Sequence, residues 1–292
     1  MKHLILVTTC ILLAITAVAQ KDAYTVFNSK GKPSDYNKIL KEASEADIIF
    51  FGELHDNPIC HWLELELTKD LYAQKGNALV LGAEMLEADN QNILNEYVKK
   101  FIRKKDFEAE ARLWSNYKTD YAPLVDFARE KGLKFVATNI PRRYAAYVNM
   151  NGLKGLDSIN AYQRAVIAPL PIKYDSTLKC YKSIGEVTGQ GGMHGKMYLA
   201  EAQAIKDATM AYFIVKNWDK DKCFLHYNGA YHSENYEGIV WYVNHYGKKL
   251  PYSPKILTIT SVEQEKTDEL SSENTGKADF TICIPSSMTK TQ

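Results

Sequence analysis

Asp47-Ile48-Ile49-Phe50-Phe51 runs directly into Gly52-Glu53-Leu54-His55-Asp56-Asn57-Pro58, and this stretch decides the fold. A short run of β-branched and aromatic residues, followed at once by turn residues, reads as a strand buried on both faces. Gly52 allows a tight turn at its end. Asn57-Pro58 then reads as the N-cap and first residue of a helix whose apolar periodicity continues over residues 61–74. Strand, turn and helix in that order make half of a βαβ unit.

The same order recurs along the chain. Strands are expected at residues 78–82, 134–137 and 222–227, and helices at 90–103, 121–131 and 198–218. The alternation predicts an α/β fold with a central, mainly parallel sheet flanked by helices. Two later strands, at 255–260 and 279–284, complete or edge the sheet, with a polar loop over 263–277 between them. Residues 151–195 break the pattern: Pro169, Pro171, Tyr162, Tyr174, Tyr181 and the glycine-rich Gly189-Gln190-Gly191-Gly192-Met193-His194-Gly195 contain no strand pattern. This segment is expected to be an inserted helical cap in a domain spanning 20–285, and 286–292 a disordered tail.

Compartment and partners are bounded by composition. An apolar run over residues 4–18 closes on Ala17-Val18-Ala19, too short to span a bilayer comfortably, and reads as a secretory signal peptide over 1–19. Export to the periplasm or outer-membrane surface is expected. A lipid on Cys10 is the rival reading, with too little apolar sequence before that cysteine to favour it. Removing Lys2 with the signal takes the 36 basic residues to 35, against 35 acidic ones, so no electrostatic basis for nucleic-acid binding remains. Cys60, Cys180, Cys223 and Cys283 are scattered, with no C-x-x-C pattern for a zinc ribbon or redox pair.

In a parallel sheet, groups just beyond the strands' carboxyl ends converge on one crevice. Those ends carry Glu53 and His55, then Glu84 in Gly82-Ala83-Glu84, then Arg142 and Arg143 in Asn139-Ile140-Pro141-Arg142-Arg143, and finally His232 in Asn228-Gly229-Ala230-Tyr231-His232. The Gly-x-x-His pattern occurs twice, at 52–55 and 229–232. One histidine at a strand end is more often a hydrogen-bonded loop residue than a catalyst. Two histidines and two glutamates from three strand ends make a candidate site of Glu53, His55, Glu84 and His232. His61 follows His55 by six residues, a spacing that does not by itself put both on one metal. His226 reads as a satisfied core residue and His245 as a solvated one. Gln203, Asp207 and Met210 share one helical face that either looks onto the crevice or packs beside the sheet. Tyr174 and Tyr181, seven apart, share another, where packing is the commoner role.

Together, Gly52-Glu53-Leu54-His55-Asp56-Asn57-Pro58 with His61, Gly82-Ala83-Glu84-Met85, Asn139-Ile140-Pro141-Arg142-Arg143-Tyr144, Ala202-Gln203 through Asp207-Ala208-Thr209-Met210-Ala211, and Asn228-Gly229-Ala230-Tyr231-His232 resemble the ChaN-like haem-binding proteins of bacterial envelopes. The wider superfamily includes Tiki-type metalloproteases and, more distantly, erythromycin esterase. The resemblance implies haem held between two subunits by an axial tyrosine, in iron acquisition with an outer-membrane haem receptor as a partner. An anionic phenolate suits ferric iron. Tyr181 and Tyr174 are the first candidates for that ligand, Tyr144 follows, and His194 reaches the crevice only if its loop orders. Arg142 or Arg143 would pair with a propionate. Two departures stand out: no convincing lipoprotein cysteine, and a bulky Tyr231 before the second histidine. The alternative is a metal-dependent hydrolase in which His55, Glu84 and His232, or Glu53, hold a divalent ion whose water attacks a peptide or ester. A metal-free hydrolase with Glu53 as base and His232 as its partner is a third reading.

Overall fold

The computed structural model describes residues 22–188 and 197–291. The signal segment and cleavage site lie outside the described residues, as does the whole of the glycine-rich loop with His194. Eight strands form one sheet: β1 (Thr25–Asn28), β2 (Pro33–Ser34), β3 (Ile48–Glu53), β4 (Leu79–Glu87), β5 (Lys134–Asn139), β6 (Cys223–Gly229), β7 (Ile256–Gln264) and β8 (Phe280–Pro285). Their order is β2-β1-β8-β7-β3-β6-β4-β5. The ladders from β8 to β5 are all parallel, and β1 adds antiparallel to both β8 and β2 at one edge. The expected α/β class is what the chain adopts.

Burial on both faces accounts for the unbroken apolar run of β3. Ile49 and Phe51 join a core layer with Leu63, Leu67 and Leu71 of the helix Pro58–Lys75 and Leu124 and Val125 of Ala122–Lys131. Ile48 and Phe50 point the other way, to Ala208, Ala211 and Ile214 of Leu199–Asn217 and Ile239 and Val243 of Ile239–Gly247. The Asn57 side chain accepts from the Ile59 N–H, capping the first of these helices, with Pro58 in its first turn. Among the described residues no helix is long and apolar enough to cross a membrane.

Three local expectations are corrected. The helix expected over 90–103 ends at Val98, because Lys100 turns the chain with φ 67°, and a separate helix, Lys104–Glu110, follows beyond its expected end. The second strand reaches past Gly82 to Glu87, which places Glu84 inside it. The tail does not hang free: Lys290 pairs with Asp56 at 3.3 Å and with Glu263, and Thr291 donates to Asp56 O at 2.9 Å and to Asp120 Oδ2 at 2.8 Å. Three carboxylates gathered at one rim supply the attraction. Between residues 151 and 188 the chain forms short helices, Leu153–Ser158, Ala161–Arg164 and Lys179–Thr188, and no strand.

Candidate functional site

The site exists because the sheet opens between β4 and β6. Their ladder runs to Ala83 opposite Tyr227 and stops, with a register shift between Ala83 and Glu87 on the β5 side. Where the backbone pairing ends, the Glu84 carboxylate replaces it: Oε2 accepts from the Gly229 N–H at 2.8 Å. β3 remains paired to β6 as far as Glu53 opposite Gly229. The two Gly-x-x-His turns therefore lie side by side. A Cβ on Gly229 would fall 2.7 Å from His55 Nε2, and one on Gly52 would fall 3.0 Å from Ala230 Cα and 2.9 Å from the Ile259 carbonyl oxygen. Each glycine vacates the space that the neighbouring turn occupies.

On the β4 side, His232 is held between two buried carboxylates. Its Nε2 lies 3.1 Å from Glu84 Oε1 and its Nδ1 2.5 Å from Asp207 Oδ1, while Gln203 Nε2 sits 3.1 Å from Nε2. The Tyr181 hydroxyl donates to Asp207 Oδ2 at 2.7 Å. Burial alone would push Glu84 up, but the charge and hydrogen bond of His232, with His55 and the Gly229 N–H behind them, hold it well below the usual carboxylate range. Burial disfavours charge on His232 too, yet Glu84 and Asp207 outweigh it and raise the imidazole to about 10. For Asp207 burial wins and its carboxyl is raised. Gln203 thus looks onto the crevice, Asp207 backs His232 from behind it, and Met210 packs in the core.

On the β3 side, Glu53 is 1% exposed and organises the second group. Its Oε1 takes His55 Nδ1 at 2.7 Å and the Tyr121 hydroxyl at 3.0 Å, and its Oε2 faces His61 Nδ1 at 3.1 Å. His61 Nδ1 is also 3.5 Å from Glu64 Oε2. Its Nε2 points to the His55 carbonyl at 3.3 Å and Asp120 Oδ2 at 3.5 Å. Asn116 Nδ2 ties the same carbonyl and carboxylate together at 2.8 and 2.7 Å. The Trp114 ring meets the His55 ring edge-on with centroids 4.9 Å apart. Burial pulls His55 down, but the Glu53 hydrogen bond and the Glu84 and Glu53 charges raise it overall. Burial likewise lowers His61, and Glu64, Glu53 and Asp120 more than reverse this, to about 9.

The four expected residues all line one cavity of about 750 Å³, shared with Arg142, Gln203 and Tyr231. It adjoins a second of about 1080 Å³ walled by His55, Arg112, Leu113, Trp114, Arg142 and Arg143. Arg143 is engaged with Asp89 at 2.7 Å and lies over the Tyr144 ring, whereas Arg142 is exposed and forms no ion pair with a described residue. The cap tyrosines sit elsewhere. Tyr181 is 1% exposed, committed to Asp207, and raised far above an ordinary phenol by burial and by the Asp207 charge, so its oxygen is not open to a ligand. Tyr174 packs on Tyr181 with centroids 5.7 Å apart and lines neither cavity. Among the described residues, the three groups whose ligand atoms all lie within 4.8 Å of one another are Glu53, His61 and Glu64, a different set from His55, Glu84 and His232.

His61, 7% exposed, is central to this group, and Glu64, Trp114, Asn116, Asp120 and Tyr121 join it although their sequence context does not single them out. The signal was His61 and Glu64 on one helical face of the first helix. For Asp120 and Tyr121 none was available, because Tyr117–Tyr121 forms a π-helical turn that no simple periodicity marks, and Trp114 and Asn116 lie in the irregular segment leading into it. His226 is the satisfied core residue it was read as, hydrogen-bonded to Thr138 and Asn228, with burial pushing it down to about 4.

Comparison with known proteins matches residues 39–243 to the family described as "Haem-binding uptake, Tiki superfamily, ChaN". The fold is similar to the structure described as "Cofacial heme binding to ChaN of Campylobacter jejuni", at 18% identity, TM-score 0.65, and coverage of 89% of this chain and 96% of that one. It is also similar to a mutant of the erythromycin esterase EreC in its open conformation, at 11% identity, TM-score 0.51, and coverage of 91% and 98%. Over 128 residues the chain is 26% identical to Protein RETICULATA-RELATED 5, chloroplastic, of Arabidopsis thaliana, which spans 42% of this chain and only 17% of the plant protein.

Proposed function

This chain belongs to the ChaN family of haem-binding uptake proteins in the Tiki superfamily, and from that premise we propose that it binds haem at the crevice mouth. The family match over residues 39–243 carries the reading. The residues present fit the group: Leu113 and Trp114 offer an apolar wall, and Arg142 a free guanidinium for a propionate. Tyr231, 40% exposed, is the tyrosine among the described residues that lines the cavity, and it replaces Tyr181 and Tyr174 as the axial candidate. Its hydroxyl donates to the Cys180 carbonyl oxygen, a bond that iron would displace. His55 is a poorer ligand, since its carboxylate neighbours favour the protonated ring. A bound haem would supply a ferric centre, whose preference for phenolate oxygen suits this position. Haemin titration followed by absorption is the test. Saturation at one haem per chain, with the ferric charge-transfer band lost in Tyr231→Phe and kept in Tyr181→Phe, is expected. Failure to saturate would overturn the reading.

The cofacial haem described for the Campylobacter jejuni protein suggests that two copies of this chain meet across their haems, and light scattering with and without haemin tests that. We further place the protein outside the cytoplasm, exported through residues 1–19 and supplied by an outer-membrane haem receptor. A mature N-terminus at Gln20 by mass spectrometry is the expected result, and an intact Met1 in protein from the producing cell refutes it.

One observation favours the hydrolase alternative: Glu53, His55, Glu84 and His232 share an open cavity. A divalent ion at His55, Glu84 and His232 would have to expel the proton that Glu84 and Asp207 stabilise on His232. Peptide and ester substrates with added zinc or manganese decide it, and no turnover above buffer removes this reading.

A further inference from the structure

We propose that Glu53, His61 and Glu64 form a buried divalent-cation site beneath the crevice, sharing Glu53 with its lining and independent of haem. Their ligand atoms lie within 4.8 Å of one another. Glu53 Oε2 and Glu64 Oε1 are both buried with no hydrogen-bond partner, on residues 1% and 0% exposed. Buried carboxylate oxygens left unpaired are costly unless a cation faces them. Lysine and arginine do not supply it: among the described residues, the ion pairs of Glu53 and Glu64 are with histidine alone.

The orientation of His61 supplies the independent argument. Its Nε2 faces two acceptors, the His55 carbonyl oxygen and Asp120 Oδ2, and Asn116 fixes both of these. A proton on Nε2 satisfies that side and leaves the Nδ1 lone pair facing Glu53 and Glu64, three acceptors turned toward one point. A carboxylate that holds the far nitrogen of a metal-bound histidine is the usual second tier of such a site. One imidazole with carboxylates and no thiolate selects manganese, ferrous iron or zinc rather than soft copper(I). The competing occupant is the Nδ1 proton that Glu64, Glu53 and Asp120 stabilise, and an ion has to displace it here just as it would at His232. Because Glu53 also holds His55 through its other oxygen, an ion here would brace the crevice from beneath.

The test uses the full chain, stripped with chelator and titrated with manganese or zinc by calorimetry, with metal content and melting temperature as further readouts. One ion per chain is expected, with a rise in melting temperature that grows with metal concentration. Glu64→Gln, nearly isosteric, should weaken binding more than about 100-fold, and Asp120→Asn, which reaches His61 only from the side away from the ion, by about 10- to 100-fold. His232→Gln should leave it unchanged. The proposal fails if no ion binds at millimolar metal, if Asp120→Asn binds as tightly as the parent, or if binding survives Glu64→Gln and disappears in His232→Gln, which would put the ion in the crevice.

Discussion

Tyr181 donates its hydroxyl proton to Asp207 Oδ2 at 2.7 Å, from beneath the same carboxylate that holds His232. The tyrosine therefore positions a histidine rather than facing a ligand. Tyr181→Phe deletes one hydrogen bond to a charged acceptor in a buried place, which costs about 1.5–3 kcal/mol. Urea denaturation should register that loss while the haemin spectrum stays as in the parent. A changed spectrum with unchanged stability would return Tyr181 to the ligand role.

Stability should fall on the alkaline side because of His232. Its folded value of about 10 lies above 6.5 for the free imidazole, so its contribution is complete below pH 6.5 and is lost as pH rises through about 10. Glu84 works in the opposite sense: held below its ordinary 4.5, it contributes above that pH and loses its effect only on stronger acidification. Denaturation midpoints across this range should decline with pH in the parent and decline less steeply in His232→Gln, where His61, raised to about 9, still contributes to the slope. Parallel curves would contradict the assignment.

Gly229→Ala should destabilise by about 1–3 kcal/mol, since the new methyl lies 2.7 Å from His55 Nε2. The cause is specific, so the remedy is too. In a His55→Ala background the same substitution should cost much less, and a double-mutant cycle from thermal or chemical unfolding measures the difference. Additive costs would mean that the clash lies elsewhere.

Arg142→Ala should weaken haemin about tenfold, the equivalent of about 1.4 kcal/mol, by removing the unpaired guanidinium at the cavity rim. Haemin dimethyl ester, which has no propionate charge, should bind parent and variant alike. Equal haemin affinity in both proteins would exclude Arg142 from the contact.

Much of this architecture was legible in the sequence because burial on both faces leaves a plain mark. Ile48 to Phe51 alternate between two core layers, and a strand covered by helices on both faces accounts for so unbroken an apolar run. Residues beyond the strand ends then had to converge, which brought Glu53, His55, Glu84 and His232 together across large separations. The helical face of Gln203 and Asp207 was readable from spacing, though not which way it pointed. What the sequence concealed follows from irregular backbone and local charge. Asn116, Asp120 and Tyr121 arrive by a π-helical turn, and Lys290 is drawn back by carboxylates that are contiguous only in space. The cap tyrosines misled because spacing alone cannot separate a ring that packs from one that faces a ligand.

The mutual accommodation of Gly52 and Gly229 also has a consequence during synthesis. β6 is made after β3, β4 and β5 yet lies between β3 and β4. A chain emerging from the ribosome must keep that slot vacant, with the facing edges of β3 and β4 unsatisfied, until the segment ending in His232 has been translated. Such edges are templates for pairing with other chains, and closing a contact over this sequence separation is slow. The slot where the site is assembled is therefore also a place where the unfinished polypeptide is exposed to aggregation, and no ligand bound in the completed crevice can protect it before β6 is inserted.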